Sequence, residues 1–245
     1  AAAGGAVAVA AGLAVAVLWA ADHPDVYQTR LGERRVVTLE DGSRVALDSA
    51  TRLTVRLTRQ ARTLDLVAGQ ARFDVAKDVT RPFSVQAGRQ TVVATGTSFS
   101  IDRLGDRVLV TLIEGRVTVI GAPPRRGTRP APSASVELKA GERLVAADQA
   151  GAAPPIVEKV GLDKATAWEN GQLIFEDEPL SAVAERVSRY TESPVVVKDA
   201  GVGALRISGV FTAGDLATFV DTVTQYLPVR AEKGSDGATE LRSRG

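Results

Sequence analysis

The stretch RTLDLVAGQARFDVA, residues 62–76, alternates apolar and polar side chains on both sides of a glycine. Leu64 and Leu66 share one face of an extended strand, because strand side chains alternate with a period of two. Gly69 follows at a position where a positive φ would cost little. The same spacing recurs as Val37-x-Leu39-x-x-Gly42, Val110-x-Leu112-x-x-Gly115 and Val136-x-Leu138-x-x-Gly141. It predicts an all-β sandwich or short solenoid of stacked hairpins over residues 31–146.

A second repeat lies near the C-terminus, where LSAVAERVSRY (180–190) and LATFVDTVTQY (216–226) share the spacing of their apolar residues. Each copy has the period of an amphipathic helix and is flanked by short apolar runs typical of strands. We therefore expect a duplicated βαβ domain at 168–245, with a single sheet and both helices on one face. A last edge strand is expected at 239–241. Residues 147–167 are expected to be a linker.

The N-terminal residues 1–21 carry no charge and are long enough, as a helix, to cross a bilayer. We expect a transmembrane helix there, followed by a juxtamembrane linker at 22–30. The alternative is the apolar region of a secretory signal peptide. The chain contains no methionine, so we expect it to be a fragment or a processed form. Residues 121–135, rich in proline and arginine, are expected to form a mobile loop.

The composition excludes several classes of function. Thirty basic residues nearly balance twenty-nine acidic ones, which gives no reason to expect a nucleic-acid partner. The chain has no cysteine, and His23 is its single histidine. Thiolate metal sites and multi-histidine metal sites are therefore excluded, and we expect no cofactor and no metal.

The runs RVVTLEDGSRVALDSATRLTV, LVAGQARFDVAKDVTRPFSVQAGRQTVVATGTSFSI, VLVTLIEGRVTVI and LKAGERL resemble the FecR family. These proteins are single-pass inner-membrane regulators of bacterial iron uptake and related cell-surface signalling. The later AWENGQLIFEDEPLSAVAERVSRYTESPVVV and LRISGVFTAGDLATFVDTVTQYLPVRAE resemble the C-terminal domain of that family. That domain is similar to the short N-terminal domain of secretins and TonB-dependent receptors.

The resemblance implies a transmembrane signal relay whose C-terminal portion is periplasmic. Its partners would be the signalling domain of a TonB-dependent outer-membrane receptor, an intramembrane protease, and an extracytoplasmic-function sigma factor. The sigma factor would bind a cytoplasmic anti-sigma region that this sequence does not contain. The runner-up is an envelope assembly or export module that self-associates through its secretin-like domain. A hydrolytic enzyme is disfavoured because the chain has no cysteine and only one histidine, the usual partners of an activated nucleophile.

Three sets of residues are candidates for function. The resemblance marks Gly96–Thr97 as a candidate self-cleavage bond, with a water or a carboxylate such as Asp102 assisting; the alternative is a structural glycine bend. Partner docking by strand addition is expected at a sheet edge carrying Leu205, Ile207, Val229 and Arg230. The cluster Arg52, Arg56, Arg59 and Arg62 would form either a partner-facing patch or, in the preferred interpretation, a solvated strand face. Trp168, Phe175 and Phe211 are expected to pack in the α+β core.

Overall fold

The computed structural model describes residues 24–121 and 135–244. The transmembrane helix expected at 1–21 and the centre of the loop expected at 121–135 lie outside these residues. Within the described ranges, no helix combines the length and the apolar character that crossing a bilayer requires.

The described residues between 24 and 160 (24–121 and 135–160), here called the β-lobe, form one curled thirteen-stranded sheet. Its strands are β1 (Asp25–Gln28), β2 (Arg35–Thr38), β3 (Arg44–Leu47), β4 (Arg52–Leu57), β5 (Arg62–Asp74), β6 (Phe83–Ala87), β7 (Gln90–Ala94), β8 (Ser98–Leu104), β9 (Arg107–Glu114), β10 (Val117–Gly121), β11 (Ser135–Leu138), β12 (Glu142–Ala147) and β13 (Ile156–Lys159).

Strand β5 belongs to both layers of this sheet. Its first half pairs with β4 and, in parallel, with β6, whereas its second half pairs with β3 and β8. One layer runs β1-β4-β5-β6-β7-β10-β11, and the other runs β2-β3-β5-β8-β9-β12-β13. Inward side chains of both layers form one apolar core, in which the rings of Phe73 and Phe99 stack with centroids 5.1 Å apart. The predicted all-β class is confirmed, and the two layers close by folding a shared strand.

Gly69 marks the point where β5 passes from one layer to the other. The four template glycines, Gly42, Gly69, Gly115 and Gly141, all have positive φ, as predicted. Gly69, however, lies within a strand and not in a hairpin turn. The ladder between β4 and β5 shifts register beside it, from Arg52↔Ala68 to Leu53↔Leu66, so the chain bends at a β-bulge.

We expect Gly69→Ala to lower the free energy of unfolding by about 3 kcal/mol. The residue has φ +85°, and an added Cβ would lie 2.3 Å from Thr51 Oγ1 and 2.6 Å from Thr51 Cα. Gly32→Ala is the matched control, because Gly32 has φ +74° but nothing within 4 Å of an added Cβ. The control should lose only about 1 kcal/mol. Equal losses in denaturant unfolding would show that the contact with Thr51 is unimportant.

Residues 161–244, here called the C-terminal lobe, have a separate apolar core. The elements are α1 (Leu162–Thr166), a 3₁₀ helix (Ala167–Asn170), β14 (Gln172–Pro179), α2 (Leu180–Ser188), β15 (Val195–Val197), α3 (Ala200–Gly203), β16 (Arg206–Thr212), α4 (Leu216–Tyr226), β17 (Val229–Lys233) and β18 (Thr239–Ser243).

Both repeat helices bury the face that their spacing predicts. Helix α2 begins directly after Pro179 and buries Leu180, Val183, Ala184 and Val187. In α4 the Asp215 carboxylate caps the first turn by accepting from the Thr218 backbone N–H at 3.1 Å. Phe219 and Val223 of α4 pack into the same core, where the Phe219 and Phe211 rings meet edge to face.

The expected single sheet in this lobe is wrong. Strands β14 and β16 form an antiparallel pair of their own, and β15, β18 and β17 form a second sheet. The expected edge strand at 239–241 belongs to β18, which lies in the centre between β15 and β17. Each repeat strand thus pairs outside its own copy: β14 and β16 pair antiparallel with each other, whereas β18 pairs in parallel with β15 and antiparallel with β17.

The two segments expected to be linkers also contribute to the β-lobe. Strand β1 lies inside 22–30 and pairs with β4, so this segment is partly built into the sheet. Strand β13 lies inside 147–167 and extends the other layer by pairing with β12. All four residues of β13 are exposed, since β13 lies at a sheet edge.

Candidate functional site

The two lobes meet through a group of buried and half-buried polar side chains, here called the junction cluster: Asp48, Gln70, Asp102, Arg189 and Tyr190. Asp48 directly follows β3, Gln70 follows the bend of β5, and Asp102 lies in β8. Arg189 and Tyr190 come directly after α2, the helix of the first repeat copy. The end of this helix therefore places two polar side chains against the face of the β-lobe.

The Arg189 guanidinium makes three hydrogen bonds to the β-lobe. It donates to Gln70 Oε1 at 2.8 Å, to the Arg103 carbonyl at 3.1 Å and to Asp102 Oδ1. Only 9% of the Arg189 side chain is exposed. A buried guanidinium is tolerated when its charge and its donors are satisfied. Asp102 supplies the charge, so the pair fixes the orientation of the lobes.

Tyr190 donates its hydroxyl to Asp48 Oδ2, which also lies 4.0 Å from Arg189 Nη1. Asp48 has no exposed surface, and no described residue donates a well-aligned hydrogen bond to its Oδ1. Burial raises the pKa of Asp48 to about 6, although the Tyr190 hydroxyl and the charge of Arg189 act in the opposite direction. Burial and the neighbouring Asp48 carboxylate likewise raise the pKa of Tyr190.

Further pairs surround the junction cluster. Ser49 Oγ donates to the Arg189 carbonyl at 3.0 Å, and Arg34 Nη1 donates to the Trp168 carbonyl at 3.0 Å. Arg72 forms an ion pair with Glu169 at 3.1 Å, and Arg107 forms one with Glu185. The C-terminal lobe is thus held at several points, which makes the two lobes a single structural unit.

The two repeat copies use their final tyrosine differently. Tyr190 is buried against the β-lobe, whereas the equivalent Tyr226 is 77% exposed. The repeat spacing predicted both helices but not the docking role of the first. The only signal in the sequence was the change from Arg189-Tyr190 to Gln225-Tyr226, since the arginine brings the charge that a buried carboxylate requires.

The candidate self-cleavage bond lies just before β8. Gly96 has φ +146°, and an added Cβ would lie 2.5 Å from Lys77 Cγ, so a structural reason for glycine is present. The Thr97 hydroxyl is buried and has no hydrogen-bond partner in the described part of the chain. Asp102 cannot assist it, because five residues of extended strand separate them by roughly 16 Å. Self-cleavage at Gly96–Thr97 stays a prediction, without the suggested carboxylate.

The proposed docking residues differ in accessibility. Ile207 and Val229 are buried, and Leu205 packs against the core of the C-terminal lobe, where its carbonyl accepts from the Leu180 N–H at 2.8 Å. Arg230 is exposed on β17 and pairs with Glu232 at 3.4 Å. The side chains of the first three therefore support the fold, so docking on these strands would have to use the backbone and the outward residues.

The other residues singled out from the sequence also differ in their burial. Phe175 and Phe211 pack in the core as expected, with ring centroids 5.9 Å apart. Trp168 is buried at the lobe junction, outside that core cluster. Arg52 and Arg56 are exposed on β4, but Arg62 is completely buried, so the basic cluster does not form one solvated face. Within 24–121 and 135–244, no three acidic or histidine side chains are placed to hold a metal ion.

The comparisons with known proteins agree with this architecture. A sequence model of the FecR protein family matches residues 25–118. Two crystal structures of a candidate anti-sigma factor from Parabacteroides distasonis ATCC 8503, at 1.65 and 2.50 Å resolution, share the fold with TM-scores of 0.75 and 0.74. Each is 22% identical in sequence, and the match covers 89% and 90% of this chain and 99% of theirs.

No curated protein matches the chain in sequence. The likeness to the two crystal structures extends through both lobes, and at 22% identity it concerns the fold alone. The family match covers β1 to the start of β10, which includes the bend at Gly69, Arg62 and three of the five junction-cluster residues. The family match therefore identifies residues 25–118 as a segment similar to FecR proteins.

Proposed function

We propose that this chain is the membrane-anchored, periplasmic portion of an anti-sigma regulator that relays a signal by protein–protein contact. The FecR domain and the fold shared with candidate anti-sigma factors support a regulatory role. The partner on the signal side is the signalling domain of a TonB-dependent outer-membrane receptor. On the output side, the partner is an extracytoplasmic-function sigma factor, which a cytoplasmic region outside these 245 residues binds. The signal reaches that region when an intramembrane protease cleaves the chain.

One observation carries the docking part of the proposal: β16 has an unprotected edge. In the described residues β16 pairs with β14 alone. Its sequence, RISGVFT, has a single charge, and Val210 on its outward face is 61% exposed. Such an edge invites an additional strand from another protein.

The other edges of the lobe are better protected. Strand β14 is interrupted by a bulge between Phe175 and Glu178, where Asp177 has φ +47°. Strand β15 has only three residues. Strand β17 carries Arg230, Glu232 and Lys233, and charges at an edge discourage pairing. Of the two docking strands expected from the sequence, β16 is therefore preferred to β17.

We expect Val210→Lys to weaken binding of the receptor's signalling domain roughly tenfold or more, because an edge lysine opposes strand addition. Isothermal titration calorimetry with the signalling domain of a TonB-dependent receptor from the same organism measures the effect. Val79→Lys is the matched control, since Val79 is 81% exposed in the β-lobe. It should bind like the wild type.

Three results would oppose the proposal. Unchanged affinity in Val210→Lys would remove β16 as the docking edge. Absence of binding by the wild-type chain would remove the receptor as the partner. Reversible self-association of the wild-type chain in sedimentation, without receptor binding, would favour the envelope assembly alternative.

A further inference from the structure

A small cavity of about 50 Å³ lies between the two lobes, next to the junction cluster. The β-lobe contributes Asp102, Thr111 and Arg143 to its wall, and the C-terminal lobe contributes Lys164, Trp168 and Arg186. A volume of this size holds one or two waters or an ion of a few atoms. Its contents are therefore decided by the charge and the hydrogen-bonding groups of the wall.

Positive charge dominates this wall. Four cationic side chains line the cavity within the described residues: Arg143, Lys164, Arg186 and Arg189. Asp102 is the one carboxylate among the lining residues, and Arg189 already pairs with it. Outside the wall, Glu178 is shared by Lys164 at 2.6 Å and Arg186 at 3.1 Å. Lys164 has a second carboxylate, Glu176, only at 4.0 Å and on a side chain that is 72% exposed.

Arg143 is the least compensated of the four. Its side chain is only 11% exposed, yet its nearest carboxylate is the half-exposed Glu158 at 3.7 Å. Its Nε donates at 3.1 Å to the neutral Thr111 hydroxyl. Burial and the charge of Arg186 together lower the pKa of Arg143, so the surroundings oppose its positive charge. A buried cation in this position requires an additional negative partner.

Trp168 adds a second, independent observation. Its residue is 4% exposed, and its Nε1 is a buried donor that finds no acceptor among the described residues. Buried polar atoms almost always have a partner, so an orphaned donor beside a cavity points to an occupant that accepts hydrogen bonds. The unpaired donor and the surplus of positive charge both indicate a negatively charged occupant.

We propose that this cavity is a binding site for one small oxyanion the size of a carboxylate group, held by Arg143 and Trp168 Nε1 between the two lobes. The anion neutralises the surplus charge shared by Arg143 and Arg186 and accepts from the orphaned indole. Because both lobes supply ligands, binding stabilises their docked arrangement. The site is independent of the docking edge on β16.

The test is thermal unfolding of the full 245-residue chain in millimolar sodium formate. Sodium pivalate replaces formate at constant total concentration, because pivalate carries the same carboxylate on a body too large for the cavity. Formate should raise Tm by about 3 °C, and the rise should level off as the formate concentration increases. Arg143→Met should abolish the rise, whereas the control Arg116→Met, on a side chain that is 76% exposed, should keep it.

Trp168→Phe provides a second variant if Arg143→Met does not fold. It retains an aromatic ring but removes the donor, and the formate concentration at half-saturation should rise about tenfold. A cavity that holds only water predicts no saturable difference between formate and pivalate. That result, or an equal response in wild type, Arg143→Met and Trp168→Phe, would overturn the proposal.

Discussion

Replacing Arg62 with alanine should lower the free energy of unfolding by about 4 kcal/mol, because it removes the guanidinium donor from the largely buried Asp41 carboxylate and from three part-buried carbonyl groups. Arg62 is completely buried at the start of β5. Its guanidinium donates to Asp41 Oδ2 at 3.0 Å and to the carbonyls of Arg81, Ala76 and Asp78 at 2.8, 2.9 and 3.2 Å. It also lies over the Phe83 ring, 5.4 Å from the centroid.

The Asp41 carboxylate depends on this arginine. Burial alone would raise the pKa of Asp41, but hydrogen bonds from Ser43 and Arg62 outweigh burial and lower it. Without Arg62, the charge on Asp41 would keep only the Ser43 bonds. Arg62→Lys should recover less than half of the loss, since an ammonium cannot present the planar fork that reaches four acceptors.

Chemical denaturation measures these losses, and Arg116→Ala is the control. Arg116 pairs with Glu137 at 3.3 Å, but its side chain is 76% exposed, so its loss should stay below about 0.5 kcal/mol. A loss of similar size in Arg62→Ala would mean that water replaces the guanidinium and that the β5–β6 region is less closed than the structure shows.

Arg62 also shows where sequence reasoning stops. The sequence groups it with Arg52, Arg56 and Arg59 as a surface cluster, because arginine in a strand is usually exposed. Its position in the strand contradicts that grouping. Arg62, Leu64 and Leu66 lie at every second position, so they share one face of β5, and all three are buried. The alternating pattern was sufficient to place Arg62 on the inward face. Its four acceptors could not be predicted, because they come from residues 41 to 81 and only the fold brings them together.

Local sequence patterns predicted which helices and strands form better than they predicted which strands lie next to each other. The apolar spacing placed both repeat helices and the positive φ of the four template glycines. It did not predict that β18 lies between β15 and β17, because a short strand carries no record of which strands flank it. For the same reason the junction cluster was missed, since Asp48 and Tyr190 are 142 residues apart.

The junction cluster should make stability depend on pH through Asp48. Since burial raises the pKa of Asp48 from an ordinary 3.8 to about 6, the folded state holds this proton more tightly than the unfolded state. Its contribution to stability is therefore fully present below pH 3.8 and is lost as pH rises through about 6. The shift corresponds to about 3 kcal/mol.

Asp48→Asn isolates this contribution, because asparagine keeps the shape and an acceptor for Tyr190 but does not titrate. Relative to wild type, the variant should gain about 2.4 kcal/mol between pH 4 and pH 7.5. Comparing the two proteins is necessary, because hydrogen bonds lower the pKa values of Asp215 and Glu240, which weakens both proteins as pH falls. Denaturant unfolding at several pH values provides the curves.

Tyr190→Phe should move the same pH window upward. The Tyr190 hydroxyl donates to Asp48 and lowers the pKa of that carboxyl, so removing it raises the pKa further. Arg189 would remain the nearby charge that stabilises the carboxylate, at 4.0 Å.

A difference between wild type and Asp48→Asn that is constant with pH would contradict this account. It would mean that Asp48 titrates normally in the folded chain, and that water reaches the junction between the lobes.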